Sequence, residues 1–113
     1  MAAAAICSVR GGSKEQMGYA CAMALKNLMG LVCDPVAGLV EVPCVKRNVG
    51  GAVNALAAAD MALAGIASHI PVDQVIDAMG EVGMKMDVSL RETSMGGVAT
   101  SPKGLEIAER LGM

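Results

Sequence analysis

Two cysteines at the ends of an apolar loop are the residues best suited to chemistry in this 113-residue sequence. Cys33 is followed by Asp34-Pro35, and Cys44 is preceded by Pro43. Because proline disfavours the α conformation in the residue before it, both prolines predict a chain that is not helical at these points. Thiolate sulfur is a ligand for zinc and for iron–sulfur clusters, so metal binding is the chemistry to consider first.

The surroundings of the two cysteines predict an unusual environment for their sulfur atoms. Residues 36–42 are too apolar for a solvated loop and too short for a helix, so we expect them to be buried. Lys46, Arg47 and Asn48 follow Cys44 closely and open the next predicted helix. Nearby cations and a helix N-terminus both stabilise a thiolate. The sequence therefore predicts a lowered pKa for the cysteine thiols of this loop.

The spacing of the two cysteines is a weak signal by itself. Ten residues separate Cys33 from Cys44, which is not the spacing of a CxxC metal motif. Two buried free cysteines, which pack as small hydrophobic residues, are the simpler interpretation of the spacing alone. Cys7 lies near a helix end and Cys21 lies on the apolar stripe of a helix, so both are predicted to pack in the core. His69, the only histidine, is predicted to be structural.

The composition predicts an all-α fold. The sequence is 54% hydrophobic but has no Trp, no Phe and one Tyr, and ten Met and many Ala supply its apolar surface. Ala, Leu and Met favour helix. We predict an Ala-rich bundle of about five helices around a buried central helix, with a cysteine-bearing loop. Burial of apolar surface stabilises a fold by about 25 cal/mol per Å², and an Ala-rich core buries little of it. Such a core is marginal for an isolated domain, so we expect exposed apolar faces that need a partner chain or domain.

Local signals predict where the helices begin and end. The predicted helices span residues 2–9, 14–28, 45–67, 71–85 and 102–111. Ser13 and Gln16 form a capping-box pattern before the second helix. The third, residues 45–67, is apolar on nearly all sides, which is typical of a buried helix. Gly50 and Gly51 cost it about 1 kcal/mol each relative to alanine, which suggests the close approach of another backbone, or of a cluster and substrate.

Several classes of function do not fit the sequence. The net charge is −2 and the charges are interspersed, so we expect no nucleic-acid partner. Polar residues and glycines interrupt every apolar run, so no membrane span is expected. The N-terminal residues lack the basic region of a signal peptide, and we predict a cytoplasmic protein with reduced thiols. No P-loop, dinucleotide-binding or serine-hydrolase motif is present.

The cysteine loop resembles a known sequence segment. Residues 31–48 closely resemble the cluster-binding segment of the iron–sulfur-dependent L-serine dehydratases (L-serine ammonia-lyases), in the C-terminal part of their α subunit or α domain. Residues 91–104, which begin Arg-Glu-Thr-Ser, are similar to the C-terminal segment of that family. Residues 1–6 resemble its helix just downstream of a first cluster cysteine. The resemblance covers nearly all of the chain.

The resemblance implies a cofactor and an incomplete site. The family is expected to hold a [4Fe-4S] cluster with three cysteines, leaving one iron free. It implies that Cys33 and Cys44 are two of the ligands, while the third is expected upstream of Met1, in a Gly-Cys-Gln segment. Residues 1–113 are therefore expected to form a single all-helical unit, the C-terminal portion of a larger catalytic α domain. Its catalytic base is unknown.

The resemblance also implies a reaction and its partners. L-serine would be converted to pyruvate and ammonia, with iron as a Lewis acid, in amino-acid degradation and gluconeogenesis. Lys46, Arg47 and Asn48 suit a substrate carboxylate or the anionic cluster, although a solvated face explains Lys46 and Arg47 equally well. The expected partners are L-serine, an upstream α-domain segment or a β subunit, in a homo- or hetero-oligomer. A helical assembly module without activity, and a zinc site on Cys33, Cys44 and another ligand, stay open as alternatives.

Overall fold

The computed structural model describes all 113 residues and is helical, without β-strands. The prediction of an all-α fold is confirmed. The helices are α1 (Ala2–Val9), α2 (Lys14–Asn27), α3 (Cys44–Leu63), α4 (Val72–Lys85) and α5 (Pro102–Arg110). Short 3-10 turns lie at Val36–Gly38, Val88–Leu90 and Gly97–Thr100. None of the helices combines the length and the apolarity needed to cross a membrane.

The predicted caps explain where two of the helices begin. The Ser13 hydroxyl accepts a hydrogen bond from the Gln16 N–H at 3.1 Å, and the Gln16 side chain accepts one from the Ser13 N–H at 2.9 Å. This is the complete capping box, so that prediction is confirmed. At α5 the Ser101 hydroxyl accepts from the Gly104 N–H at 3.2 Å, with Pro102 in the first turn.

The third helix ends four residues before its predicted end at residue 67, and Gly65 is the reason. Gly65 has a φ of +92°, a left-handed conformation that glycine adopts without steric penalty. Its N–H donates to the Ala62 carbonyl at 3.1 Å, and the N–H of Ile66 donates to the Met61 carbonyl at 3.0 Å. These two bonds form a Schellman motif, which satisfies the last carbonyls of the helix and terminates it.

The chain divides into two compact units. Unit 1 comprises Met1–Met29 and Gly50–Met84, and it contains α1 packed on α2. Its core consists mainly of small side chains, namely Ala3, Cys7, Ala20, Met23, Ala55, Ala58, Ala59 and Ala62. Cys7 is fully buried, and a Cβ on Gly12 would lie 2.4 Å from its sulfur. Cys7 therefore has the packing role that the sequence predicts.

Helix α3 is buried on one face only. Ala55, Ala58 and Ala62 of this helix are buried, whereas Val53 is 59% exposed and Leu56 is 44% exposed. Alanines three or four residues apart make a single stripe on a helix, and the larger apolar residues project from its other faces. Thus a smaller part of the surface of α3 is buried than the sequence predicts. The expectation of exposed apolar faces is confirmed.

Gly50 and Gly51 allow a test of whether another part of the chain packs closely on α3 at these positions. A Cβ at either position would find no heavy atom within 4 Å, so no other backbone of this chain approaches them closely. We expect Gly50→Ala to raise the free energy of unfolding by about 0.5–1 kcal/mol, because alanine is the better helix former. Urea unfolding followed by circular dichroism measures this. Gly12→Ala, which would meet Cys7, is the contrasting control and should destabilise; a loss of stability in Gly50→Ala would contradict the prediction.

Unit 2 comprises Gly30–Val49 and Lys85–Met113, and it contains the cysteine loop. Helix α5 packs against the turns Val36–Gly38 and Gly97–Thr100. The buried side chains are few: Asp34, Pro35, Val36 and Ala99. A charged residue, Asp34, therefore lies at the centre of this unit.

Candidate functional site

The backbone of Cys33 is hydrogen-bonded on both sides to a segment that is distant in the sequence. Its N–H donates to the carbonyl of Leu90 at 2.9 Å, and its carbonyl accepts from the N–H of Glu92 at 2.7 Å. The two bonds make an isolated parallel β-bridge between Cys33 and Arg91. The position of Cys33 is thus set by the start of the segment at residues 91–104.

The side chain of Asp34 joins three parts of unit 2. One carboxylate oxygen accepts a hydrogen bond from the Arg47 guanidinium, and the other accepts from the N–H of Val98 at 2.7 Å. The same Arg47 nitrogen donates to the carbonyl of Val32 at 3.0 Å. Burial alone would raise the pKa of Asp34, but the hydrogen bonds from Val98 and Arg47 and the charge of Arg47 hold it below its usual range. Asp34 is therefore a buried carboxylate that stays ionised.

The Asp34–Arg47 ion pair links the two segments that carry the predicted metal ligands. Asp34 is adjacent to Cys33, and Arg47 lies in the first turn of α3, three residues after Cys44. The N–H of Val36 donates to the carbonyl of Val42 at 2.9 Å and closes the loop between them. A thiolate at Cys44 is close enough to raise the pKa of Cys33. The ion pair and the loop hydrogen bond thus connect the segments that carry Cys33 and Cys44, and the role of the two thiols as ligands stays a prediction.

The predicted lowering of the thiol pKa is wrong for Cys33. Partial loss of water around this thiol raises its pKa, and the negative charges of Glu92, Cys44 and Asp34 raise it further, against a smaller lowering by Arg47. The Cys33 side chain is exposed, Cys44 is half-buried, and residues 39–42 are exposed rather than buried. The prediction rests on the cations that follow Cys44 in sequence. It takes no account of Glu92, which comes from the other half of unit 2.

The three residues predicted to bind substrate differ in their surroundings. Arg47 is half-buried and directs one guanidinium nitrogen to Asp34 and Val32. Lys46 and Asn48 precede and follow it in α3, and both are exposed. The other candidates, Cys21 and His69, both belong to unit 1, where Cys21 is half-buried and His69 is exposed. The binding roles of Lys46, Arg47 and Asn48 stay predictions.

Comparison with known proteins identifies the family. The sequence profile described as "Serine dehydratase alpha chain" matches residues 1–99. This chain belongs to the serine dehydratase alpha chain family. It is 61% identical over 111 residues to the probable L-serine dehydratase alpha chain of Bacillus subtilis, covering 98% of this chain and 37% of that relative.

Two further relatives agree. The L-serine dehydratase alpha chain of Peptoniphilus asaccharolyticus is 51% identical over 107 residues, covering 95% of this chain and 37% of the relative. L-serine dehydratase 1 of Escherichia coli K12 is 46% identical over 100 residues, covering 88% of this chain and 22% of the relative. This chain thus spans about a third of the length of the two alpha chains, which is 37% in each case.

The residues of this alpha-chain segment fit part of a cluster-binding site. Iron–sulfur clusters are held by cysteine thiolates, and Cys33 and Cys44 provide two free thiols in segments that the Asp34–Arg47 pair connects. No group of three or more His, Cys, Asp or Glu side chains in the chain is arranged to hold a metal ion. The donor set therefore matches the chemistry of a cluster but supplies two ligands, so further ligands are required for a complete site.

Sequence reasoning misses two carboxylates of this site, Asp34 and Glu92. Asp34 enters the sequence prediction only as the residue before Pro35, and Glu92 only as part of a segment similar to the serine dehydratases. The sequence contains a signal for each residue, because Asp34 lies in residues 31–48 and Glu92 lies in residues 91–104, the two segments that most resemble the family. The contacts that unite those segments, Asp34 to Val98 and Glu92 to Cys33, are visible only in the folded chain.

Proposed function

We propose that this chain is the part of an iron–sulfur L-serine dehydratase that supplies Cys33 and Cys44 to a [4Fe-4S] cluster. The complete enzyme would act as an L-serine ammonia-lyase and convert L-serine to pyruvate and ammonia. One observation carries the proposal: in a member of this family, the ion pair of buried Asp34 with half-buried Arg47 joins the two segments that bear the thiols. The relatives named L-serine dehydratase support the choice of substrate.

In this proposal each residue of the chain has a defined task. Cys33 and Cys44 hold the cluster as thiolates, and when bound the cluster supplies a Lewis-acidic iron for the hydroxyl of L-serine. Arg47 provides a fixed positive charge near the thiols. Lys46 and Asn48 are exposed near the start of α3, and the Lys46 ammonium and the Asn48 amide can donate to an anion, so they are candidates for the substrate carboxylate.

The remaining parts of the site are expected from other chain segments. The third cysteine ligand and the catalytic base would come from another part of the alpha chain or from a β subunit. This expectation agrees with the extent of the match, since the chain corresponds to 37% of the Bacillus subtilis alpha chain. A cytoplasmic location, where thiols stay reduced, is part of the proposal.

The test is anaerobic reconstitution with iron and sulfide of the assembled enzyme that contains this chain. We expect about four irons and four sulfides per cluster, with broad visible absorption. Cys33→Ser and Cys44→Ser should each lose the cluster and the formation of pyruvate, whereas Cys21→Ser, which changes a half-buried thiol of unit 1, should keep both. Unchanged iron content in Cys33→Ser would remove Cys33 from the ligand set.

The same preparation separates the two alternatives. Zinc without sulfide in the unmodified protein would indicate a zinc site on Cys33, Cys44 and another ligand. No metal in any form, with free thiols throughout, would indicate a helical assembly module without activity. The chain purified alone should hold no stable cluster and should not deaminate L-serine; full activity of the isolated chain would contradict the proposal that its site is completed elsewhere.

A further inference from the structure

An open pocket of about 450 Å³ lies in unit 2. One wall is formed by Glu92, Thr93 and Ser94, and another by Ala37 and Gly38. Its volume lies in the range of small-molecule sites. The wall of residues 92–94 belongs to the segment at residues 91–104 that resembles the serine dehydratases.

Backbone strain is concentrated at this pocket. Only three residues of the chain other than glycine have a positive φ: Ala37 at 55°, Glu92 at 65° and Ser94 at 57°. All three line the pocket. A left-handed backbone is unfavourable for residues with a side chain, and it persists where the surrounding structure enforces it, often at binding sites.

Three hydrogen bonds enforce the strained wall. The N–H of Glu92 donates to the Cys33 carbonyl at 2.7 Å, and the Ser94 hydroxyl donates to the Pro35 carbonyl at 2.6 Å. The Thr93 hydroxyl donates to the carbonyl of Val88 at 2.9 Å. The hydroxyls of the wall are therefore engaged with the backbone of the chain itself.

Glu92 differs from its neighbours in the wall. Its side chain is exposed, and its carboxylate makes no ion pair. None of the other side chains that line the pocket is charged, so its one charged side chain is negative. Glu92 is also adjacent to Cys33, because its backbone N–H donates to the Cys33 carbonyl at 2.7 Å.

We propose that Glu92 binds the α-ammonium group of an amino-acid substrate in this pocket, and that residues 92–94 form one wall of the substrate site. The inference rests on the proposed function, which makes an α-amino acid the substrate. An ammonium group and a carboxylate form a charge-assisted hydrogen bond, and a pocket whose one charged side chain is negative favours a cation.

The experiment compares two ligands that differ only in the ammonium group. Isothermal titration calorimetry measures the Kd of L-serine and of 3-hydroxypropanoate, which lacks the amino group, on the assembled enzyme before iron and sulfide are added, so that L-serine is not consumed during the titration. In Glu92→Gln the Kd of L-serine should rise by about tenfold or more, while the Kd of 3-hydroxypropanoate should change by less than about twofold. Glu92→Asp should recover part of the affinity for L-serine. Glu106→Gln, which removes an exposed carboxylate on α5 outside the pocket lining, is the matched control and should change neither.

Each other outcome overturns the inference. An equal loss of affinity for both ligands in Glu92→Gln would mean that Glu92 maintains the conformation of residues 92–94 and does not bind the ammonium group. An unchanged Kd for L-serine would place the ammonium elsewhere, and absence of L-serine binding to the unmodified protein would remove the site altogether. Iron content and pyruvate formation, measured separately on the same samples after reconstitution, report on the proposed function. Selective loss of L-serine binding supports the inference even in a sample that forms no pyruvate.

Discussion

Replacement of Asp34 by alanine is expected to lower the free energy of unfolding by about 3 kcal/mol. The change leaves the Arg47 guanidinium without its carboxylate and the N–H of Val98 without its acceptor. Breaking a buried ion pair by removal of one partner is strongly destabilising. The low end of the usual range applies, because the Arg47 side chain is 28% exposed and regains some water. Urea unfolding followed by circular dichroism gives the value.

A second aspartate–arginine pair in the chain is the matched control. Asp60 pairs with Arg10 in unit 1, but the two side chains are 66% and 47% exposed. Such surface pairs contribute less than about 1 kcal/mol, so Asp60→Ala should have a small effect. Asp34→Asn, which keeps an acceptor for Val98 but loses the charge, should lie between the two. Equal effects of Asp34→Ala and Asp60→Ala would show that burial adds nothing to the Asp34 pair.

The ion pair also connects stability with the proposed site. Asp34→Ala removes no thiol, yet it releases the link between the segments of Cys33 and Cys44. We therefore expect the reconstituted enzyme to retain less iron in this variant, although both cysteines are present. Full iron content in a folded Asp34→Ala enzyme would show that the thiols are positioned without the pair.

The elements of the fold can be predicted because their signals are local. The capping box of Ser13 and Gln16, and the Ser101-Pro102 pair before α5, involve residues within one turn of each other. Proline acts on the residue that precedes it, so the sequence also indicates the non-helical chain at Cys33. The resemblance to serine dehydratases adds the prediction that Cys33 and Cys44 are the functional cysteines.

The arrangement of the site cannot be predicted in the same way, because its contacts join distant residues. Asp34 and Val98 are 64 residues apart in sequence, and no periodic pattern connects them. The predicted sign of the pKa shift at Cys33 is wrong because partial loss of water around the thiol raises its pKa most, and because the next contribution comes from Glu92, which is far from the loop in sequence. The exposed faces of α3 could not be predicted either. Apolar residues indicate which surfaces of a helix favour burial, but they do not indicate which other element covers each surface.

Gly97→Ala should also destabilise the chain strongly, through contact with Asp34. A Cβ at Gly97 would lie 2.1 Å from the Oδ2 atom of Asp34 and 2.7 Å from its Cβ, and the φ of Gly97 is +62°. The left-handed backbone costs alanine about 1–2 kcal/mol, and overpacking adds about 1–3 kcal/mol. We expect a loss of about 3 kcal/mol in urea unfolding.

Two further variants separate the steric contribution at Gly97 from the conformational one. Gly112 has a similar φ of +73°, but a Cβ there would find no heavy atom within 4 Å, so Gly112→Ala should show the conformational cost alone. In the double variant Gly97→Ala with Asp34→Ala, part of the contact is already removed. Its loss of stability should therefore be smaller than the sum of the two single losses, since residues in contact do not act independently. Additive losses would mean that Gly97 and Asp34 act independently. The hydrogen bond from the Val98 N–H to the Asp34 carboxylate would then not depend on the absence of a side chain at Gly97.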